Sequence, residues 1–176
     1  KDHSISWGNY PAVKPNIIKC NQGDDLEAMT RQLPSYIPFG NGRSYGDSAI
    51  GDNIINMAPQ NYFISFDHDL GLLHAQSGVL LSEILDIFVK RGWFLKTTPG
   101  TKYITIGGAI AADIHGKNHH IDGCFSECIH SFNLMLPDGE IIKCSPTENK
   151  SLFRSTCGGM GLTGTIIDVK IYLKSY

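Results

Sequence analysis

Apolar residues fall in short runs broken by glycine and proline, and the first clear unit is strand–helix–strand. Asn16 to Cys20 reads as a short apolar strand. Asp24 or Asp25 can then cap a helix running to about Leu33, because Leu26, Met29 and Leu33 recur on one face. Pro34 punctuates, and Tyr36 to Phe39 forms a second strand that runs straight into Gly40-Asn-Gly-Arg-Ser-Tyr-Gly-Asp47. No helical period follows that loop directly. Ahead of the unit, Trp7-Gly-Asn-Tyr-Pro reads as an extended arm that docks on the domain.

Further along, Asn53–Met57, Tyr62–Phe66 and Leu72–Gln76 are strand candidates, and Leu81 to Lys90 is a helix stopped by Gly92. Phe94 to Thr98 is extended. Pro99-Gly100 opens a long loop carrying Gly107-Gly108 and a short helix of small residues from Ala109 to Ala112. Cys128–Leu136 and Glu140–Cys144 flank Pro137-Asp-Gly139, a hairpin signal. A helix near Glu148–Ser155 leads into Gly158-Gly-Met-Gly161. Thr165 to Leu173 alternates as a half-buried edge strand does. The mixture is α+β without a linker, so one domain is expected.

Composition narrows the functions. A chain of 176 residues can bury roughly 70% of its unfolded surface. Its 41% hydrophobic content is ordinary, and its 18% charged content is low enough to suggest a surface meant to be covered. The net charge of −2 comes without a basic stripe, which argues against nucleic-acid binding. No apolar run approaches the ~20 residues of a membrane span, and Lys1-Asp-His-Ser is not a signal-peptide core. The five cysteines are odd in number and lack framework spacing, which points to free thiols in a reducing, cytoplasmic compartment.

The glycine-rich segments carry the candidate chemistry. Gly40, Gly42 and Gly46 permit positive φ, so consecutive N–H groups of the first loop can form an anion nest; an ordinary glycine turn is the alternative. The Rossmann pattern fails by register, since position 45 is Tyr and the third glycine comes one residue late. In the second segment a phosphate loop of the Walker type fails twice, because Ala111 stands at its first glycine and Asn118 follows Lys117. Asp113, His115, Lys117, His119 and His120 crowd polar groups beside that turn, as an active site would. His119, His120, Cys124, Cys128 and His130 fit no common zinc spacing, so no metal is expected and the cysteines are read as buried thiols. With Gly158-Gly-Met-Gly-Leu-Thr-Gly164, three such segments can converge on one extended ligand of dinucleotide size.

Four motifs in order, Gly-Asn-Gly-Arg-Ser-Tyr-Gly-Asp (40–47), Pro-Gly-Thr (99–101), Ile-Gly-Gly-Ala-Ile-Ala-Ala-Asp-Ile-His-Gly-Lys-Asn-His-His (106–120) and Gly-Gly-Met-Gly-Leu-Thr-Gly (158–164), resemble a known family. It is the FAD-binding domain of the vanillyl-alcohol oxidase, or para-cresol methylhydroxylase, type. Within that family the resemblance is to the decaprenylphosphoryl-β-D-ribose 2′-oxidase branch, which the arm Ser-Trp-Gly-Asn-Tyr-Pro (6–11) also resembles. The fold so implied is a small parallel βαβ subdomain, approximately residues 12–58, plus a larger mixed or antiparallel sheet flanked by helices over residues 59–176.

The resemblance implies that Phe39, Gly40, Asn41, Gly42, Arg43, Ser44, Tyr45, Gly46 and Ser48 cradle the pyrophosphate of FAD, with Tyr45 toward the isoalloxazine. Gly100, Thr105, Gly107 and Gly108 would line the flavin and ribityl region. Ala112, Asp113, Ile114 and His115 would continue along the cofactor, and Ile166 would sit by the adenine. Tyr45, His115 and Lys117 are the implied catalytic groups, with Lys117 suited to a substrate phosphate. Arg43 stands where many relatives carry a flavin-tethering histidine, so the FAD is expected to be non-covalent.

The implied activity is oxidation of a sugar hydroxyl, the 2′-OH of a polyprenyl-phosphate ribose, as the first half of an epimerisation supplying an arabinan precursor. A short-chain reductase partner would complete it. Oxidation of an alditol or aldonolactone, and a non-catalytic FAD- or nucleotide-binding module, are the alternatives. Family members add a substrate domain and a C-terminal return, whereas this sequence stops at Tyr176. A fragment inactive alone is therefore expected, from a full-length protein that can sit peripherally at a membrane.

Overall fold

The computed structural model describes residues 6–8, 10–116 and 123–176. A three-stranded parallel sheet opens the fold. β1 (Asn16–Lys19) and β2 (Ile37–Phe39) flank β3 (Asn53–Asn56), with Ile17 and Ile37 both in register with Ile54. Between β1 and β2 runs α1 (Leu26–Arg31), and the Asp25 carboxylate caps it by accepting from the Ala28 amide at 3.1 Å. Cys20, Ile55 and Met57 form a small core here, packed against Ile18, Leu26, Met29 and Leu33. This unit is the βαβ element read from the apolar pattern.

The larger sheet is antiparallel throughout its described pairings. It comprises β4 (Phe63–Asp67), β5 (Leu72–Gln76), β6 (Trp93–Leu95), β7 (Ile129–Met135), β8 (Ile141–Cys144) and β9 (Thr165–Ser175). The expected edge strand at Thr165 is instead the hub, because β9 pairs with β5, β7 and β6. Alternation reports that one face is buried; it carries no information on whether both edges are paired.

Three helices cover the inner face of this sheet. α2 (Leu81–Phe88) buries Leu81, Ile84 and Phe88, spaced three and four residues apart, and passes into a short 3-10 turn (Val89–Arg91). Its start is fixed by Glu83, whose carboxylate accepts from the Leu80 amide at 2.7 Å. α3 (Ile106–Ala111) begins three residues before the predicted Ala109, because Thr105 supplies an N-cap that tolerates the glycine pair. α4 (Lys150–Thr156) closes the layer, with Phe153 stacked on Phe132 at 5.4 Å between ring centroids. Leu73, Val79, Ile106, Ile110, Phe125, Leu134, Val169 and Ile171 lie fully or almost fully inside this main core.

The two sheets meet closely. The Gly78 amide donates to the Gln60 carbonyl at 2.7 Å, and a Cβ at Gly78 would lie 2.3 Å from the Met57 carbonyl oxygen. Gln22, Gln60 and Gln76 link their side-chain amides across the same joint. Only a glycine fits where the chain leaves β5 beneath the exit of β3. That joint brings the end of β2 beside the start of α3.

Candidate cofactor site

The loop Gly40–Asp47 leaves the C-terminal end of β2, where an α+β fold presents ligands to a crevice. Two of its glycines hold left-handed backbone, Gly42 at φ 62° and Gly46 at φ 61°. Among the described residues, no backbone amide from Asn41 to Asp47 donates a hydrogen bond to the protein. A run of unpartnered amides in a loop with alternating handedness is the geometry of an anion nest. Arg43 adds a cation there, and Tyr45 is 76% exposed. These donors fit the pyrophosphate of a dinucleotide.

The second segment is built differently. The Ile106 amide donates to the Val79 carbonyl at 2.8 Å, the Gly107 amide to the Ser77 carbonyl at 2.9 Å, and the Gly108 amide to Thr105 Oγ1 at 3.1 Å. The N-terminus of α3 is therefore satisfied by protein. Gly107 rests against Ser77, where an added Cβ would lie 3.1 Å from the Ser77 Cβ. Thr105 is also the point where the first two segments meet. A Cβ on Gly40 would come within 2.3 Å of its Oγ1, and Asn41 Nδ2 donates to the Tyr103 carbonyl at 2.8 Å.

The third segment closes the other end of α3. The Gly158 amide donates to the Ile110 carbonyl at 3.0 Å, which also accepts from the Asp113 amide, and the Met160 amide fills the Ala111 carbonyl at 2.8 Å. Gly161 lies against Pro38 of β2. All three glycine-rich segments thus gather around α3 and the end of β2, and among the described residues only the first presents a run of unpartnered amides.

The remaining candidates are distributed as follows. Ser48 Oγ donates to the Tyr45 carbonyl at 3.2 Å and steadies the loop's far end. Phe39 is partly buried at the end of β2, and Gly100 is exposed with open space around it. Asp113, at φ 40°, has both carboxylate oxygens engaged by Ser126, from its amide at 2.9 Å and its hydroxyl at 3.1 Å. Ala112 and His115 are exposed, and His115 bridges to Cys124. Ile114 packs on the main core, and Ile166 is buried within it. Lys117, His119 and His120 lie outside the described residues.

Sequence reasoning named the Trp7 arm and Thr105 but not their partners. Trp7 lies against the first loop, its amide donating to the Ser44 carbonyl at 3.1 Å and its ring 5.3 Å from the Arg43 guanidinium carbon. Thr105 joins two loops as well as capping a helix; a threonine before Ile-Gly-Gly is a cap signal, but its long-range partner Gly40 is not encoded locally. Burial raises the thiol pKa of Cys20, Cys128, Cys144 and Cys157. All five cysteines are free, and burial, reinforced by the Asp113 carboxylate, pushes the Cys157 thiol up to about 12. Burial does the same to Cys128, also to about 12. Among the described residues no group of histidine, cysteine or carboxylate side chains is arranged to hold a metal.

Known proteins are similar to this chain in sequence. Residues 18–145 match the family model described as FAD binding domain. The chain is 39% identical over 175 residues to decaprenylphosphoryl-beta-D-ribose oxidase of Mycolicibacterium smegmatis, an alignment covering 95% of this chain and 38% of that protein. It is 27% identical over 170 residues to L-gulonolactone oxidase of Mus musculus, covering 94% of this chain and 38% of that one. To D-lactate dehydrogenase of Anaerostipes hadrus it is 29% identical over 132 residues, 72% of this chain and 28% of the relative. The chain therefore spans well under half the length of the curated relatives it matches. From its glycine loops to its paired sheets, this chain belongs to the FAD-binding domain family.

Proposed function

We propose that this chain is the FAD-binding portion of a flavin-dependent oxidoreductase acting on a sugar hydroxyl, the 2′-hydroxyl of a polyprenyl-phosphate ribose. The observation that carries the reading is the unpartnered amide run at Asn41–Asp47 in a chain that aligns over 95% of its length with a decaprenylphosphoryl-ribose oxidase. Phe39 to Gly46 and Ser48 would hold the pyrophosphate through backbone donors, with Arg43 at the position of the tethering histidine. Gly100, Thr105, Gly107, Gly108, Ala112 to His115 and Ile166 would border the remainder of the cofactor.

When bound, FAD supplies the acceptor for hydride from an alcohol carbon. The protein's part is to position the alcohol. The exposed Tyr45 phenol and His115 imidazole can hydrogen-bond a substrate hydroxyl, and Lys117 is assigned a phosphate of the substrate. With Arg43 at the position of the tethering histidine, this loop would hold the FAD non-covalently. In the cell the activity would be followed by a reductase returning the keto-sugar to the epimeric alcohol, with the full-length enzyme lying peripherally at a membrane.

FAD titration of the chain, followed by quenching of flavin fluorescence, tests the cofactor, and flavin released on acid precipitation tests the non-covalent mode. For the substrate, the full-length enzyme is mixed anaerobically with a polyprenyl-phosphoryl ribose, and bleaching of bound flavin is the expected result. Bleaching by L-gulonolactone alone would favour the second reading, an aldonolactone oxidase, which the 94% coverage by a gulonolactone oxidase supports.

A further inference from the structure

Asp113 holds left-handed backbone at φ 40°, a conformation that costs any residue with a Cβ unless something fixes it there. Its own carboxylate does so: one oxygen accepts from the Ser126 amide at 2.9 Å and the other from the Ser126 hydroxyl at 3.1 Å. Two further links follow in step. The Phe125 amide donates to the Ile114 carbonyl at 2.8 Å, and His115 pairs antiparallel with Cys124. Residues 113–115 and 124–126 are thus two legs tied at three successive rungs, the first of them made by a side chain. One leg is fixed to α3, since the Asp113 amide donates to the Ile110 carbonyl at 2.9 Å and the Ile114 amide to the Ala109 carbonyl at 3.1 Å. The other leg is fixed to the main core by Phe125, which is fully buried. His115 stands exposed at the far end of this ladder.

We infer that Asp113 is a positioning residue for His115: its carboxylate, engaged by Ser126 rather than by the cofactor, fixes the leg that presents the imidazole to the substrate hydroxyl. This rests on the reading of His115 as a group that hydrogen-bonds the substrate. Two bonds to one ionised carboxylate are charge-assisted, and together they set its direction as well as its distance. Without them, the ring two residues beyond the strained turn would shift with every change of backbone angle at position 113. An imidazole displaced by a fraction of an ångström from its alcohol loses rate steeply, because the reacting groups must meet in one geometry. The clamp therefore acts on the oxidation of the sugar and leaves the binding of FAD almost untouched.

The test pairs Asp113→Gly, which removes the fork yet accepts the left-handed φ, with His115→Gln and the double variant. In the full-length enzyme, bleaching of bound flavin by saturating polyprenyl-phosphoryl ribose is expected to slow about tenfold with Asp113→Gly. Asp113→Asn keeps an acceptor for the Ser126 amide and tolerates the same φ, so it should restore most of that rate. In the His115→Gln background, Asp113→Gly should slow bleaching no further, whereas a clamp that only stabilised the fold would slow both backgrounds alike. In the ligand-free chain, hydrogen exchange of the Ser126 amide should quicken about tenfold with Asp113→Gly. FAD affinity of that variant should stay within about twofold of wild type. If Asp113→Gly melts too early to be read, Ser126→Ala removes the hydroxyl half of the fork and enters the same cycle, with an expected slowing of about threefold. Equal slowing in both backgrounds, unchanged exchange, or a loss of FAD affinity as large as the loss of rate would overturn the clamp. A His115→Gln enzyme that bleaches at the wild-type rate defeats the reading of His115 and the clamp with it. Slow bleaching by His115→Gln beside normal bleaching by Asp113→Gly defeats the clamp alone.

Discussion

The first and second glycine segments look alike in sequence and are built for opposite purposes. Gly40–Asp47 has positive φ at Gly42 and Gly46 and a run of amides without protein acceptors. At Ile106–Ala111 the glycines are helical, and the first amides are consumed by Val79, Ser77 and Thr105. One segment offers its backbone outward, and the other uses small size to bring helix and strand together. Glycine content alone cannot separate these uses; the hydrogen-bond ledger of the neighbours does.

The largest expected effect comes from attacking the point where the two segments touch. Gly40→Ala places a methyl group 2.3 Å from Thr105 Oγ1 in the unrelaxed backbone, and Thr105 is 3% exposed with little room to withdraw. A loss of about 2 kcal/mol in chemical denaturation is expected, with FAD affinity falling as well. Thr105→Ala should cost about 1 kcal/mol by uncapping α3. Combined with Gly40→Ala it should cost less than the sum, because the smaller residue relieves the clash. Strict additivity would mean that the two segments are not coupled through this contact.

Gly46→Ala separates the two roles. Its Cβ would meet nothing within 4 Å, so only the left-handed φ of 61° opposes it. The expected cost is about 1 kcal/mol of stability. FAD affinity should fall further, about tenfold, as the nest relaxes toward ordinary φ. A loop serving only as a turn would lose stability and leave the flavin titration unchanged.

Most of the architecture was legible because it rests on local signals. Asp25 before Leu26, the spacing of Leu81, Ile84 and Phe88, and the Pro137-Asp-Gly139 hairpin each state their own structure. The centrality of β9 was hidden, since its three partners come from residues 72–76, 93–95 and 129–135 and no local pattern names them. Within the candidate site, the loop's glycines announced the left-handed backbone seen at Gly42 and Gly46. The engagement of Asp113 by Ser126 and the docking of Trp7 on Arg43 depend on packing of distant segments. Gly158 and Met160 likewise read as a third ligand loop, yet their amides cap α3.

A pH ramp probes that capping joint with a smaller effect. Burial and the neighbouring Asp113 raise Cys157 to about 12, and burial raises Cys128 to about 12. Both thiols are therefore neutral in the folded chain at pH 8 and should react slowly with a thiol-directed reagent until the protein unfolds. The sign for stability follows from linkage. A pKa raised by folding contributes stability in full below the unfolded thiol's ordinary value near 9. That contribution is lost progressively as pH rises from 9 toward 12, so the melting temperature should decline over this window. Rapid labelling of Cys157 at pH 8 in folded protein would place it outside the packed joint.

Gly107→Ala is expected to change least. Alanine is favoured over glycine within a helix by about 1 kcal/mol, and Gly107 lies in the second position of α3. Against this, the new methyl would lie 3.1 Å from the Ser77 Cβ and 3.2 Å from its carbonyl oxygen. Ser77 can give only slightly, because its carbonyl accepts from the Gly107 amide at 2.9 Å and its own amide donates to the Ile167 carbonyl at 3.0 Å. The crowding cost is of the same order as the helix gain, so the net change should stay within about 1 kcal/mol. The flavin titration then decides what the position is for. If Gly107 serves packing between α3 and β5, FAD affinity will follow whatever small change stability makes. If its bareness admits the flavin ring, FAD affinity will fall steeply while stability holds, and the second segment will have joined the first as part of the cofactor's wall.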